Sequence, residues 1–190
     1  MSRRTSSIVV FVVILLVTAV IVAAVGLGTD GATAITVGDQ RMSAKAVNDE
    51  LAEWADFPPA EARATAGSVN GAAGAGFTTQ MVYEMLADEY LDRTGEQVTR
   101  ADRAKARRSV AGVEEFRERS AWFRDRYLQR AATFSALTRL VGEDDQGTVE
   151  VRVLRREARR VGVTVDPAYG RWAPVRARVT EYPTPFTPQG

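Results

Sequence analysis

A mainly helical domain carried behind an N-terminal transmembrane helix is the architecture that this 190-residue sequence predicts. Three observations predict it. Residues 8–27 are apolar except for Thr18 and Gly26, and Arg3 and Arg4 precede them. Beyond that run, apolar side chains recur at three- and four-residue steps through several long segments, the period of a helix buried on one face. Strand-like alternation is confined to short stretches, chiefly Ala34–Val37 and Val163–Val165.

The apolar run Ile8–Leu27 comes first. A helix of about 20 residues rises roughly 30 Å, the thickness of a bilayer's hydrocarbon core. Fifteen of its positions are Val, Ile, Leu or Phe, and each such residue favours insertion by about 0.3–0.6 kcal/mol. No basic residue follows until Arg41, so the positive-inside rule leaves the N-terminus in the cytoplasm and the remainder outside. The expected localisation is therefore a single-pass protein of the plasma membrane with an extracytoplasmic C-terminal domain. A cleaved signal peptide is the alternative, with Ala32-Thr33-Ala34 as a small-residue cleavage site. Signal h-regions run about 7–15 residues, so the length favours a retained anchor. The predicted division is residues 1–28 as stub and anchor (or signal peptide), 34–172 as a helical domain, and 173–190 as a tail.

After a hinge at Gly28–Gly31, the strand Ala34–Val37 runs into a turn at Gly38-Asp39-Gln40. Ser43 can cap a helix to Ala55, whose Val47, Leu51 and Trp54 share a face. Phe57-Pro58-Pro59 stops it. Residues 67–76 read as a small-residue linker, followed by a helix from Thr78 to Arg93 with Met81, Val82, Met85, Leu86 and Tyr90 as its apolar stripe. Gly95 ends that helix, and Thr99 with Asp102 forms a capping-box start for a charged helix to Val110. One long helix from Val113 to Val141 is expected as the spine, with Phe116, Phe123, Tyr127, Phe134, Leu137 and Val141 on one face. Glu143–Gly147 is a polar break. Residues 148–160 fit either a strand or a helix, and the Arg/Glu-rich second half with Gly162 as a stop favours the helix. Val163–Val165 is a short strand closed by Asp166-Pro167, and the tail with Pro183, Pro185 and Pro188 is expected to be extended and poorly ordered.

Composition removes whole classes of chemistry. The chain has no histidine and no cysteine. Serine–histidine, cysteine–histidine and histidine-ligated zinc catalysis are thereby excluded, as are disulfides and a lipidated cysteine anchor. Lysine occurs only at Lys45 and Lys105, neither in a recognisable motif, so carboxylate-only or lysine-based catalysis survives as a formal possibility. Gly71, Gly74 and Gly76 have the spacing G-x-x-G-x-G, not that of a dinucleotide-binding loop, and no buried strand precedes them. The pairs Asp49-Glu50 and Asp88-Glu89 are adjacent on helices and so diverge, which fits solvated faces better than a paired-carboxylate site. No cofactor, metal or nucleic acid is expected. Acidic residues dominate between Asp39 and Glu96 and basic ones between Arg100 and Arg130, consistent with helical faces that attract one another.

Three stretches carry a resemblance. Ile35-Thr36-Val37-Gly38-Asp39-Gln40-Arg41-Met42-Ser43 is a strand and turn leading directly to a capped helix. Thr94-Gly95-Glu96-Gln97-Val98-Thr99-Arg100-Ala101-Asp102 joins two helices through a "G-x-x-V-T-x-x-D" junction. Val163-Thr164-Val165-Asp166-Pro167-Ala168-Tyr169-Gly170-Arg171-Trp172 follows a "V-x-V-N/D-P-R-Y-G-x-W" pattern, with Ala168 in the arginine position. Over Ala34 to Trp172 the chain resembles the N-terminal domain of the SurA/PrsA family of extracytoplasmic foldases, in its actinobacterial form. The resemblance implies a helical chaperone core closed by a two-stranded ribbon in which Ile35–Val37 lies beside Val163–Val165. Many family members insert a parvulin isomerase domain after the long helix. Here only Glu143–Gly147 occupies that place, and the histidines of a parvulin site are absent.

The function expected from these readings is a membrane-tethered holdase for unfolded exported polypeptides, without isomerase activity and not an enzyme. Trp54, Phe57, Met81, Met85, Tyr169 and Trp172 are its candidate client contacts, although large apolar residues at such spacing also serve as ordinary core and turn packing. The alternative is a bitopic structural or interaction subunit that docks on one cell-envelope protein.

Overall fold

The computed structural model describes residues 31–56, 71–142 and 148–180. The anchor Ile8–Leu27, the stop at Phe57-Pro58-Pro59 and residues 181–190 of the expected tail lie outside them. Among the described residues no helix is long and apolar enough to cross a membrane.

The chain enters through a hairpin. Strand β1 (Thr33–Val37) pairs antiparallel with β2 (Gln40–Ser43) across the turn at Gly38-Asp39. Gly38 has φ +56°, and a Cβ there would lie 3.3 Å from both Glu89 and Val161, so the tight turn and its close neighbours both require glycine. Helix α1 (Ala44–Asp56) follows at once, with Ser43 Oγ accepting from the Ala46 N–H at 3.2 Å as a cap. Helices α2 (Gly71–Thr94), α3 (Arg100–Val110), α4 (Glu114–Glu118), α5 (Ala121–Val141) and α6 (Thr148–Val161) make up the body. Strand β3 (Val163–Val165) then returns to β1, and a second hairpin, β4 (Arg171–Ala173) with β5 (Arg178–Thr180), ends the described chain.

The pairing of first and last segments is as the resemblance implies: Ile35 faces Val165, Thr36 faces Thr164 and Val37 faces Val163, antiparallel. The sheet nevertheless has three strands in the order β2-β1-β3, not two. Residues 41–43 carry one inward side chain, Met42, too short an alternation to signal a strand, and the turn rather than the pattern sets their pairing.

Three further expectations are corrected. Residues 71–76 are not linker but the first turns of α2; residues 67–70 lie outside the described residues. Ala73 and Phe77 are buried against Leu51, Trp54 and Ala55 of α1, and this packing outweighs the roughly 1 kcal/mol by which each glycine disfavours a helix. The long helix from Val113 to Val141 is broken at Arg119 and Ser120. Ser120 caps α5, its hydroxyl accepting from the Phe123 N–H at 3.3 Å, and Arg119 takes an extended backbone with ψ 156°. Residues 173–180 are not tail: Ala177 and Val179 are buried, with the Val179 N–H donating to Thr79 Oγ1 at 2.9 Å and Tyr83 Oη donating to the Ala177 carbonyl. Residues 148–161 are helical, the alternative that the sequence favoured.

The spine is consequently α2, not α5. Every side chain from Met81 to Ala87 is buried, so α2 is interior nearly all round its circumference. Ile35 and Val37 of β1, Val47 of α1, Leu137 of α5 and Leu154 of α6 close over it to form one core. The Thr99–Asp102 capping box is present, with reciprocal bonds of 3.2 and 2.9 Å.

Candidate functional site

Two clusters stand out in this body, one aromatic and one ionic. The aromatic cluster sits where α1 ends, α2 begins and α5 begins. Trp54 stacks on Phe77 at 4.3 Å between centroids and 8° between planes, and meets the edge of Phe123 at 5.3 Å. The Arg119 guanidinium lies 4.8 Å from the Trp54 centroid and 5.0 Å from that of Phe123, and it donates to the Glu53 carbonyl. A buried cation over two rings is a fixed arrangement, because leaving it would give up both ring contacts and the carbonyl bond. Phe123 continues to Tyr127 at 6.3 Å, and Tyr127 to Phe116 of α4 at 5.4 Å. Burial raises the Tyr127 phenol above its ordinary value, against the opposing charges of Arg130 and Arg119. At the outer edge Trp122 touches Phe123 at 6.0 Å while remaining 42% exposed, and Val113 before α4 is also 42% exposed.

The ionic cluster crosses three helices. Glu50 of α1 is 1% exposed, and Glu84 of α2 and Arg130 of α5 are each 4% exposed. Arg130 Nε donates to Glu84 Oε2 at 3.0 Å, and its Nη2 stands 2.5 Å from Glu50 Oε1, off the hydrogen-bonding line. Arg126, one turn earlier, reaches Glu50 at 3.1 Å and Glu84 at 3.2 Å. Two carboxylates against two guanidiniums make the cluster neutral as a whole. Burial alone would lower the Arg130 pKa, but the charges of Glu50 and Glu84 outweigh it and hold the side chain protonated. Asp88, one turn beyond Glu84, is pushed up to about 6 by burial and then by the Glu84 charge, with Thr133 Oγ1 donating to it at 3.2 Å. Both buried carboxylates of the clamp are engaged by guanidiniums, so the cluster joins helices and leaves no free base for a reaction. Among the described residues no group of three or more Asp or Glu is placed to hold a metal ion.

The six sequence-predicted contact residues scatter. Trp54 belongs to the aromatic cluster, half-buried under Arg119. Met81 and Met85 are in the core beneath the sheet and helices. Tyr169 is buried, its hydroxyl donating to Asn48 Oδ1 at 3.0 Å, and Trp172 packs partly buried against the same core. Phe57 lies outside the described residues.

The acidic pairs do diverge. Glu50 turns inward while Asp49 pairs outward with Lys45 at 2.8 Å, and Asp88 meets Thr133 while Glu89 accepts from Gln40 at 3.1 Å. Glu50 is buried, however, not solvated. A signal for this existed: Glu50 falls three residues after Val47 and four before Trp54, inside the apolar stripe. Arg130 sits in the same way between Tyr127 and Phe134. Phe77 follows a glycine-rich stretch, and Arg119 and Trp122 flank the Ser120 cap inside an otherwise continuous helical periodicity, so no local pattern marks these three.

Compared with known proteins, the chain matches no protein-family model, no curated protein and no solved structure.

Proposed function

We propose that the chain is a membrane-tethered, extracytoplasmic polypeptide-binding module of the holdase kind, with no enzymatic activity of its own. Ile8–Leu27 anchors it as a single span in the plasma membrane, with the N-terminus cytoplasmic and the helical domain outside. The observation that carries this reading is the corner between α4 and α5. Among the described residues of the helical body, Trp122 and Val113 are the exposed large apolar side chains; Trp122 stands at this corner, and Phe123 beside it continues into the Trp54 stack. A ring held from behind by other rings offers apolar area to an unfolded segment at little entropic cost. The absence of histidine supports binding without isomerase chemistry.

One test uses the full chain in nanodiscs with a reduced, unfolded model client. The chain suppresses client aggregation near stoichiometry. Trp122→Ala loses most of that suppression while still unfolding cooperatively in urea, with a midpoint lowered only by the loss of its edge contact with Phe123. No suppression by the unsubstituted chain in excess would contradict the reading.

A second reading, docking on one cell-envelope partner, is favoured by the interior placement of Met81 and Met85. Their soft side chains, which suit promiscuous binding, are not at the surface. The Glu50–Arg130–Glu84 clamp also fixes the helices in a single register, which fits a dedicated interface.

A further inference from the structure

The β4–β5 hairpin presents a basic face and an exposed apolar side chain at its turn. Its register places Arg171 opposite Thr180 and Ala173 opposite Arg178, so Arg171 and Arg178 share the outer face, while Trp172 and Val179 share the inner one. The inner face is fixed to α2 by the Thr79 and Tyr83 bonds. The outer face is exposed and basic. At the turn Arg176 is exposed and Val175 is 84% exposed, the most exposed large apolar side chain among the described residues. None of Arg171, Arg176 and Arg178 has an ion-pair partner among the described residues. Eight arginines against three acidic residues lie between 148 and 180, and two of those acids, Glu150 and Glu157, are buried. The hairpin packs closely at its base: Gly170 has φ +106°, and a Cβ there would fall 2.5 Å from Val179 and 2.8 Å from the Thr180 carbonyl.

Its position matters as much as its charge. Asp166 N–H donates to the Ala34 carbonyl at 2.8 Å and Ala44 N–H to the Ala32 carbonyl at 2.7 Å, while Tyr169 bonds beside Ala44 at Asn48. The hairpin therefore springs from the end of the sheet at which the chain arrives from Ile8–Leu27. Residues 28–32 separate that run from β1, and five residues reach at most about 18 Å.

We infer that the β4–β5 hairpin docks on anionic phospholipid headgroups of the bilayer that holds the anchor, with Val175 entering the headgroup layer and Arg171, Arg176 and Arg178 meeting phosphates. The inference rests on the tethered reading of Ile8–Leu27. The headgroups concerned are those of the outer leaflet, which the extracytoplasmic domain faces; where they are anionic they attract a short basic cluster as any charged membrane surface does, and salt screens that attraction.

The absence of native cysteine allows a clean test. Full-length chain carrying Val175→Cys is labelled with an environment-sensitive fluorophore and reconstituted into phosphatidylcholine vesicles with or without phosphatidylglycerol. The expected result is a blue-shifted, brighter emission in anionic vesicles only, reversed by 0.5 M salt, where the screening length is about half its physiological value. Arg171→Gln/Arg176→Gln/Arg178→Gln should abolish the shift, each arginine contributing roughly fivefold to the association. Equal emission in neutral and anionic vesicles, or a shift insensitive to salt, overturns the inference even if the triple variant misfolds. Inorganic phosphate matching the effect of the lipid would also overturn it. Flotation of the same chain with neutral vesicles in carbonate reads the anchor separately: a chain that floats without the shift loses the hairpin proposal alone, and one that fails to float loses the anchor.

Discussion

Arg130 is held between two carboxylates with almost no water around it, so its worth depends on what is removed with it. Arg130→Met leaves Glu50 and Glu84 buried with Arg126 as their remaining guanidinium, and breaking a buried pair in this way costs about 3–5 kcal/mol. Replacing the cluster together, as Glu50→Leu/Glu84→Leu/Arg130→Met, should recover most of that loss in urea unfolding. A combined variant as unstable as the single one would contradict the clamp. Asp88 acts in the opposite sense. Its folded pKa of about 6 lies above the ordinary 3.8, so the folded state binds the proton more tightly than the unfolded state. The stability linked to its protonation is fully present below about pH 4 and is lost as pH rises through about 6. Asp88→Asn, which keeps an acceptor for Thr133, is therefore expected to be more stable than the parent by about 1–3 kcal/mol at pH 7, with the gap closing by pH 4. Asp102 and Glu157 act the other way. Each is lowered despite burial, by bonds from Thr99 and Ser135 and by those from Arg160 and Arg93 respectively, and loses its contribution as pH falls. Urea midpoints across pH 4–7 for parent and variant check the sign.

The junction between α4 and α5 shows how one side chain sets an element. Without the Ser120 cap, the apolar positions from Phe116 to Val141 would suit one continuous helix. Ser120→Ala is expected to cost about 1 kcal/mol and to move Trp122 relative to Phe123, read by urea unfolding together with Trp fluorescence. An unchanged midpoint would mean that Arg119, through Glu53 and the two rings, already fixes the bend. Elements with local signals were legible: the Ser43 cap, the Thr99–Asp102 box, the Gly95 and Gly162 stops and the alternation of Val163–Val165 all hold. Elements created by tertiary packing were not. Gly71–Gly76 is helical because Phe77 reaches Trp54, and residues 173–180 are ordered because Thr79 and Tyr83 supply partners that lie far away in sequence.

For the whole molecule, closure of β3 onto β1 ties residues more than 120 apart into one sheet, so the domain is built as a unit. The acidic first half and basic second half do attract one another, through Glu50 and Glu84 against Arg126 and Arg130, but inside the protein rather than across solvated faces. The candidate contacts were only partly legible for the same reason. An aromatic at helical spacing reads alike whether it faces the core, as Phe123 does, or sits at an exposed corner, as Trp122 does. The claim that the α4–α5 corner receives unfolded polypeptide is tested most directly by a photo-crosslinking residue in place of Trp122 in the full chain, in its native membrane, with Arg107 on exposed α3 as the comparison site. The account predicts adducts with many newly exported polypeptides from position 122 and few from 107. Equal adduct yields at the two positions would contradict it, and a single stoichiometric adduct at 122 would replace the holdase with a dedicated partner.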